Sequence, residues 1–489
     1  MTDLPGSEHR CEHNPPQRVI TLVSRRPPRH TGARVALLVA VLVAGAAGVW
    51  WWQASSAPNA AKSPSASPPA APEPPLPLAA PDRFTVALAH LGNDTDGLEE
   101  QRLVAALADA EPAQLLRFDR TIAPTGMGLG ASTRAGHDTA RGYLAEAGAQ
   151  AVMWGVVTGH QEEQLVSLCW TLASQLRHGG RWGRYELPGE LLLPAVGWRE
   201  LADVVRLLVV AHSLEFYGAE AGPSPERLRT LVETVRPLAY APRGRRVMSN
   251  ESRANLRFAL ATALALYGEH TGRAEALQEA VTILRELLAE GLAGNESLRP
   301  AAVQNNLGNA LSRLGVVVPD VASQRAYLER ATSAYQAAVM ELSGKGDRPS
   351  WATAQSNLGT ALTALGERAY STSQLEQAGA AFRAALTERA RDRDPLAWVA
   401  TQIGLGVSLR RLGERSKQAG TVCQALEAHL SAWAALGTHA AVYGGRTAAE
   451  IERDRRVLES AFSPAEVRDC FKRNEAQLSR LPRPPAPPP

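Results

Sequence analysis

Gln304-Asn305-Asn306-Leu307-Gly308-Asn309-Ala310-Leu311 is echoed twice further along the chain, as Gln355-Ser356-Asn357-Leu358-Gly359-Thr360-Ala361-Leu362 and Gln402-Ile403-Gly404-Leu405-Gly406-Val407-Ser408-Leu409. Each copy runs on to a Leu-Gly, at Gly315, Gly366 and Gly413, which sets spacings of 51 and 47 residues. A degenerate copy, Arg257-Phe258-Ala259-Leu260, leads to Gly268, 47 residues before Gly315. A second string keeps step with the first: Ala280, Leu284 and Leu287; Ala331, Tyr335 and Ala338; Ala378, Phe382 and Ala385; Ala425, His429 and Ala432. Apolar positions three and four apart mark one face of a helix. A period of roughly 20 to 50 residues marks a solenoid, because each helix pair leaves an apolar face that only the next pair can cover. The small residues permit close crossing, and the large ones fill the holes.

The pattern L-G-x-x-L followed by A-x-x-x-[FY]-x-x-A resembles tetratricopeptide repeats, in the long-period bacterial form W-A-x-x-Q-x-N-L-G-x-A-L-x-x-L-G-E-R. Trp351-Ala352-Thr353-Ala354-Gln355 to Gly366-Glu367-Arg368 matches that form nearly residue for residue, and Trp398 to Arg415 matches it well. The resemblance covers residues 249–437 and implies a concave groove that binds a protein or peptide. By the family's register the groove-facing positions are Asn305, Asn309 and Arg313, then Ser356 and Thr360, then Arg410 and Arg411. Such a lining is amide-rich and neutral to basic, chemically able to grip a backbone or a carboxylate. The competing reading is a solvated polar face. Repeats that clamp a carboxylate place Lys and Asn at two of these positions; Asn309 fits, and the Lys is absent.

Before the repeats, the composition changes three times. The net charge of +3 from 52 Lys plus Arg against 49 Asp plus Glu sits within residues 1–34, so the rest of the chain is balanced, without the concentrated basic face of a nucleic-acid binder. Residues 35–52, VALLVAVLVAGAAGVWWW, carry no charge and end in three Trp. The stretch is long enough to cross a bilayer, and the preceding arginines orient it with the N-terminus in the cytoplasm. The expectation is a single-pass protein of a bacterial inner membrane, with residues 1–34 as a basic cytoplasmic tail and the bulk of the chain periplasmic. A cleaved signal peptide ending near Ala54-Ser55-Ser56-Ala57 is the rival reading. Ala36, Ala40, Ala44 and Gly48 recur every four residues and allow either a homodimer seam or simply an Ala-rich span. Residues 53–82 are rich in Pro, Ala and Ser and read as an extended spacer.

Residues 83–217 read as a small α/β domain: strand Phe84 to Leu91, helix Leu98 to Ala110, strand Gln114 to Ile122, helix Asp138 to Ala147, strand Ala151 to Val157. Leu165 to Ala173 and Arg181 to Leu187 follow as a hairpin, and Trp198 to Phe216 as a closing helix. FTVALAHLGND, LLRFDRTI and YLAEAGAQAVMWGVV are similar to the N-terminal α/β domain of TolB-type and FlgO-like envelope proteins, chiefly through Gly148-Ala149-Gln150-Ala151-Val152, Gly155 and Val157. The family's Pro-Phe in the first strand is Ala89-His90 here. That resemblance implies a non-enzymatic assembly domain. Residues 219–248 form a connecting helix. Residues 446–481 form capping helices, the second opened by Ser463-Pro464-Ala465-Glu466. Residues 482–489 are a polyproline tail.

No catalytic signature is found. There is no H-E-x-x-H, Gly130-Ala131-Ser132-Thr133-Arg134 fails the nucleophile elbow at its last residue, and Gly126-Met127-Gly128-Leu129-Gly130 lacks both the third dinucleotide glycine and a Walker Lys. His9, Cys11 and His13 alternate without a fourth ligand. Asn93, Asp94 and Asp96 suit helix capping better than a calcium loop. Four Cys in 489 residues exclude a disulfide scaffold, and Cys423 and Cys470 can pair or stay free. The fold expected is thus a single transmembrane helix, a small α/β domain and an all-α tetratricopeptide-like solenoid. The function expected is a membrane-anchored scaffold for a partner protein or peptide, with no metal, cofactor or nucleic acid. An envelope sensor, whose α/β domain binds a small molecule and whose repeats relay it, is the alternative.

Overall fold

The computed structural model describes residues 74–481 except 81–82, 109–112, 123–128, 159–164, 174–188, 195–197, 241–249, 292–297, 344–346, 393 and 437–439. It holds a small α/β region followed by a helical array. The α/β elements are β1 (Thr85–His90), α1 (Leu98–Ala108), β2 (Gln114–Thr121), α2 (Leu129–Ala147), β3 (Ala151–Thr158), β4 (Leu165–Leu172), β5 (Gly189–Pro194) and α3 (Trp198–Ala221). Among the described residues the strands make one sheet in the order β2-β1-β3-β4-β5. β1 lies parallel to both β2 and β3, while β4 and β5 continue antiparallel. The crossovers β1-α1-β2 and β2-α2-β3 run in opposite directions across the sheet, so right-handed connection puts α1 and α2 on opposite faces.

Residue alternation in the central strands matches that arrangement. Val86, Leu88 and Met153 share a core with Leu103 and Leu107 of α1 and with Val205 and Val209 of α3. Ala87, Ala89, Val152 and Trp154 pack on Ala140 and Leu144 of α2. The small alanines of β1 leave room for the Trp154 indole, which is fully buried. Asp94 caps α1: its two carboxylate oxygens accept the Glu99 and Glu100 backbone N–H groups at 3.3 and 2.9 Å. Arg181 to Leu187, expected as a strand, lies outside the described residues, and the partner of β4 is β5.

The array continues with α4 (Pro225–Ala239), α5 (Asn250–Thr271), α6 (Ala274–Glu290), α7 (Pro300–Val317), α8 (Val321–Leu342), α9 (Arg348–Ala369), α10 (Thr372–Glu388), α11 (Pro395–Ser416) and α12 (Ala419–Leu436), then α13 (Ala440–Ala461), α14 (Pro464–Arg473) and α15 (Glu475–Leu478). Helix starts are written in the sequence. Asp320, Asp347, Ser371 and Asp394 each accept a backbone N–H three residues on, and Pro300, Pro395 and Pro464 stand in first turns whose N–H groups have no helical partner. Tyr370 and Lys417 end α9 and α11 in the left-handed region, at φ 51° and 55°.

In three of the pairs the second helix lays a ring over a glycine of the first. Tyr335 covers Gly308, Phe382 covers Gly359 and His429 covers Gly406, so close that a Cβ on any of the three glycines would fall within 3 Å of the ring. The repeat seen in sequence is therefore a repeat of knobs and holes. At the C-terminal end, Cys423 of α12 and Cys470 of α14 form a disulfide with Cα atoms 5.7 Å apart. The capping box at Ser463 and Glu466 opens α14.

The expectation of a transmembrane helix and of a single-pass inner-membrane protein with a periplasmic bulk is corrected here. Among the described residues no helix is long and apolar enough to cross a membrane. Helix α3, one of the longer helices, carries Glu200, Asp203, Arg206 and Glu215. Residues 35–52 themselves, with His9, Cys11 and His13, lie outside the described residues.

Candidate functional site: the seam of the first helices

Helices α5, α7, α9, α11 and α13 are the first members of successive pairs, and neighbours among them meet directly, whereas the second helices α6, α8, α10 and α12 make no comparable approach to one another. The array thus bends with its first helices inside. These first helices carry the positions assigned from sequence, and most of those side chains are committed to partners across the seams.

Asn305 is fully buried and accepts Asn357 Nδ2 at 2.9 Å, joining α7 to α9. Asn309 is buried beneath the Tyr335 hydroxyl, which donates to its Oδ1 at 2.7 Å. Asn306, not singled out from sequence, donates to Thr262 Oγ1 of α5 at 3.1 Å. Arg313 is ion-paired with Glu269 of α5, and Arg411 with Glu367 of α9 at 2.6 Å. Glu367 holds the Arg411 guanidinium above its ordinary range, against the opposing pull of burial. Ser356 and Thr360 are partly exposed; the Thr360 hydroxyl donates to Ser356 O at 3.0 Å. Arg410 turns away from the inner surface into the α11–α13 seam, 3% exposed, where it bonds Asp454 at 2.9 Å and Glu450 at 2.8 Å. His429 completes this buried cluster, with Nδ1 2.5 Å from Asp454 Oδ2 and Nε2 3.2 Å from the Ile403 carbonyl. Burial pushes the Glu450 carboxyl up and Arg410 more than reverses it, so it lies below the usual range.

A single offset runs through these contacts. Thr262 with Asn306, Glu269 with Arg313, Glu367 with Arg411 and Arg410 with Asp454 are each 44 residues apart. The ion-pair ladder joins the residue after the repeat's terminal glycine to the residue two before the next one. Between α7 and α9 the same two places are Val316, 40% exposed, and Ala364. The seam there is held instead by Asn305 and Asn357. The signal for the ladder was present as Leu-Gly-Glu in the repeat, but the partner lies one repeat away.

The α/β region has its own polar cluster at the carboxyl ends of β1 and β2, where open α/β sheets place ligand crevices. His90 is held between Glu100, 3.1 Å from Nδ1, and Asp119, 3.0 Å from Nε2, and Arg117 bonds Glu100 at 2.7 Å. The Asp119 bond, opposed by burial and aided by Glu100, raises the imidazole's pKa. Both ring nitrogens are occupied, so His90 offers no free base. On the opposite face, Thr171 Oγ1 accepts the Trp154 indole N–H at 2.8 Å and lies 2.6 Å from His137 Nδ1, free to donate its own proton there. Burial, with Arg141 nearby, lowers His137 to about 4.

No protein-family model matches the chain, and no curated protein matches it either.

Proposed function

We propose that this chain is a scaffold or adaptor that holds a partner protein or peptide against the inner face of its first helices, in the manner of the tetratricopeptide repeats it resembles. The observation that carries the reading is the division of labour along the seams. Asn305, Asn309, Asn306 and Asn357 are buried and keep the helices in register, while Arg313, Ser356, Thr360 and Arg411 remain partly exposed along the same side. A rigid polar surface with fixed amides and hydroxyls suits recognition of a peptide backbone, because its groups need little reordering on binding.

The test is capture by the full chain compared with Thr360→Glu and Arg411→Glu variants whose melting is unchanged. Loss of the partner from these, and its retention by Met340→Glu on a second helix, supports the reading. Retention by all variants rejects it.

A further inference from the structure

Arg389, in the link between α10 and α11, is placed differently from the ladder arginines. Its backbone N–H closes α10 on Ala385 O, and its side chain reaches across the seam of α9 and α11. Nη1 donates to Ala397 O at 2.9 Å and to Thr401 Oγ1, and Nη2 donates to Thr353 Oγ1 at 3.2 Å. All three acceptors are neutral. The Thr401 hydroxyl proton is itself committed to Ala397 O at 2.7 Å, and Ser356 Oγ stands 3.5 Å from Thr401 Oγ1.

A guanidinium has five N–H donors. Three of them are used, and Nε–H and one Nη2–H have no partner among the described residues. No carboxylate oxygen of the described residues lies within ion-pair distance of Arg389. Asp394, the nearest acid in effect, accepts the Ala397 N–H at 3.2 Å as the cap of α11, and burial raises its pKa. Tyr443 and Arg446 of α13 also border this region. The contrast with other arginines is direct. Arg236, Arg257 and Arg411 are held above their ordinary range by bonded glutamates, while burial draws Arg389 below it, with Asp394 and Tyr443 offsetting only part.

We propose that Arg389, fixed by Thr353, Thr401 and the Ala397 carbonyl, is an oxyanion site on the inner seam that takes a carboxylate of the bound peptide. Its two remaining N–H donors sit on one planar group and match the two oxygens of a carboxylate. The partner supplies the ion-pairing carboxylate that the described residues do not. The inference rests on the scaffold reading and names the chemistry of its ligand.

Saturation-transfer NMR on the full chain tests it with three small probes: N-acetyl-Gly-Glu-Gly-amide, N-acetyl-Gly-Gly-Gly with a free C-terminal carboxylate, and neutral N-acetyl-Gly-Gln-Gly-amide. The expected result is transfer to at least one of the two carboxylates, at least fivefold above the neutral peptide, and which of them responds identifies the side chain or the C-terminus as the source. Arg389→Gln should abolish the difference. Thr353→Val, which removes one anchor while leaving the charge, should reduce it, with circular dichroism and melting unchanged. Equal transfer to all three peptides, surviving Arg389→Gln, overturns the site while leaving a peptide-binding face. Absence of transfer to either carboxylate overturns the site outright, and partner capture that still depends on Thr360 and Arg411 would then show the scaffold reading standing without it.

Discussion

Arg410 illustrates how a residue read as groove lining becomes a structural one. It lies in the α11–α13 seam with Asp454 and Glu450, all three nearly solvent-free. Removing one partner of a buried ion pair strands the other charges, so Arg410→Ala should cost about 3–5 kcal/mol in urea unfolding; a loss below about 1 kcal/mol would contradict the network. Lys417 is the opposite case, a residue with a side chain in a left-handed cap at φ 55°. Glycine carries no Cβ penalty there, and Lys417→Gly should stabilise by about 1 kcal/mol, read as a raised urea midpoint. His137 supplies a pH dependence. Its folded pKa of about 4 is below the unfolded 6.5, so the unfolded chain binds the extra proton. The contribution is complete above pH 6.5, declines as pH falls, and is gone by about pH 4. It amounts to at most about 3 kcal/mol. Urea midpoints measured between pH 7 and 4 should fall less steeply for His137→Gln than for the unaltered chain.

At the scale of elements, the repeated helices were legible because their rule is local. Leu-Gly in one helix and Ala-aromatic-Ala in the next are short strings, and Gly308 under Tyr335 or Gly359 under Phe382 follows from size alone. The polar ladder was not legible, because its partners stand 44 residues apart and the offset emerges only when two helices are laid side by side. For the same reason Asn305 and Asn309 read as surface residues: an asparagine looks alike in sequence whether it faces solvent or a neighbouring amide. The capping elements carry a separate expectation. Cys423–Cys470 closes a span of 47 residues and ties α14 to α12. Chain-entropy reasoning values such a link at up to about 4 kcal/mol. Reduction should therefore speed amide exchange in α14 and lower stability, while α7 to α10 keep their protection; uniform exchange along the array would contradict a local clasp.

Over the whole molecule, one apolar core continues past residue 217. Phe84, Met153 and Trp170 of the sheet share one apolar core with Val205 and Val209 of α3 and with Phe258 and Leu260 of α5. Helix α3 closes the sheet on one side and serves as the first helix of the array on the other. An isolated fragment of residues 83–217 should therefore expose half of the α3 core and fail to melt cooperatively, and calorimetry of the full chain should not resolve a separate α/β transition. A sharp independent melt of that fragment would show two domains instead. This joining also gives the array a fixed first turn, so its inner face is held at both ends, by the sheet and by the disulfide-linked cap. By the proposal above, this inner face receives the partner. A photo-crosslinking amino acid placed at Thr360 on the inner face or at Met340, 76% exposed on a second helix, tests this through the adducts formed in the cell. One partner crosslinked from Thr360 and not from Met340 is the result expected; the same partner captured equally from both, or from Met340 alone, would contradict it.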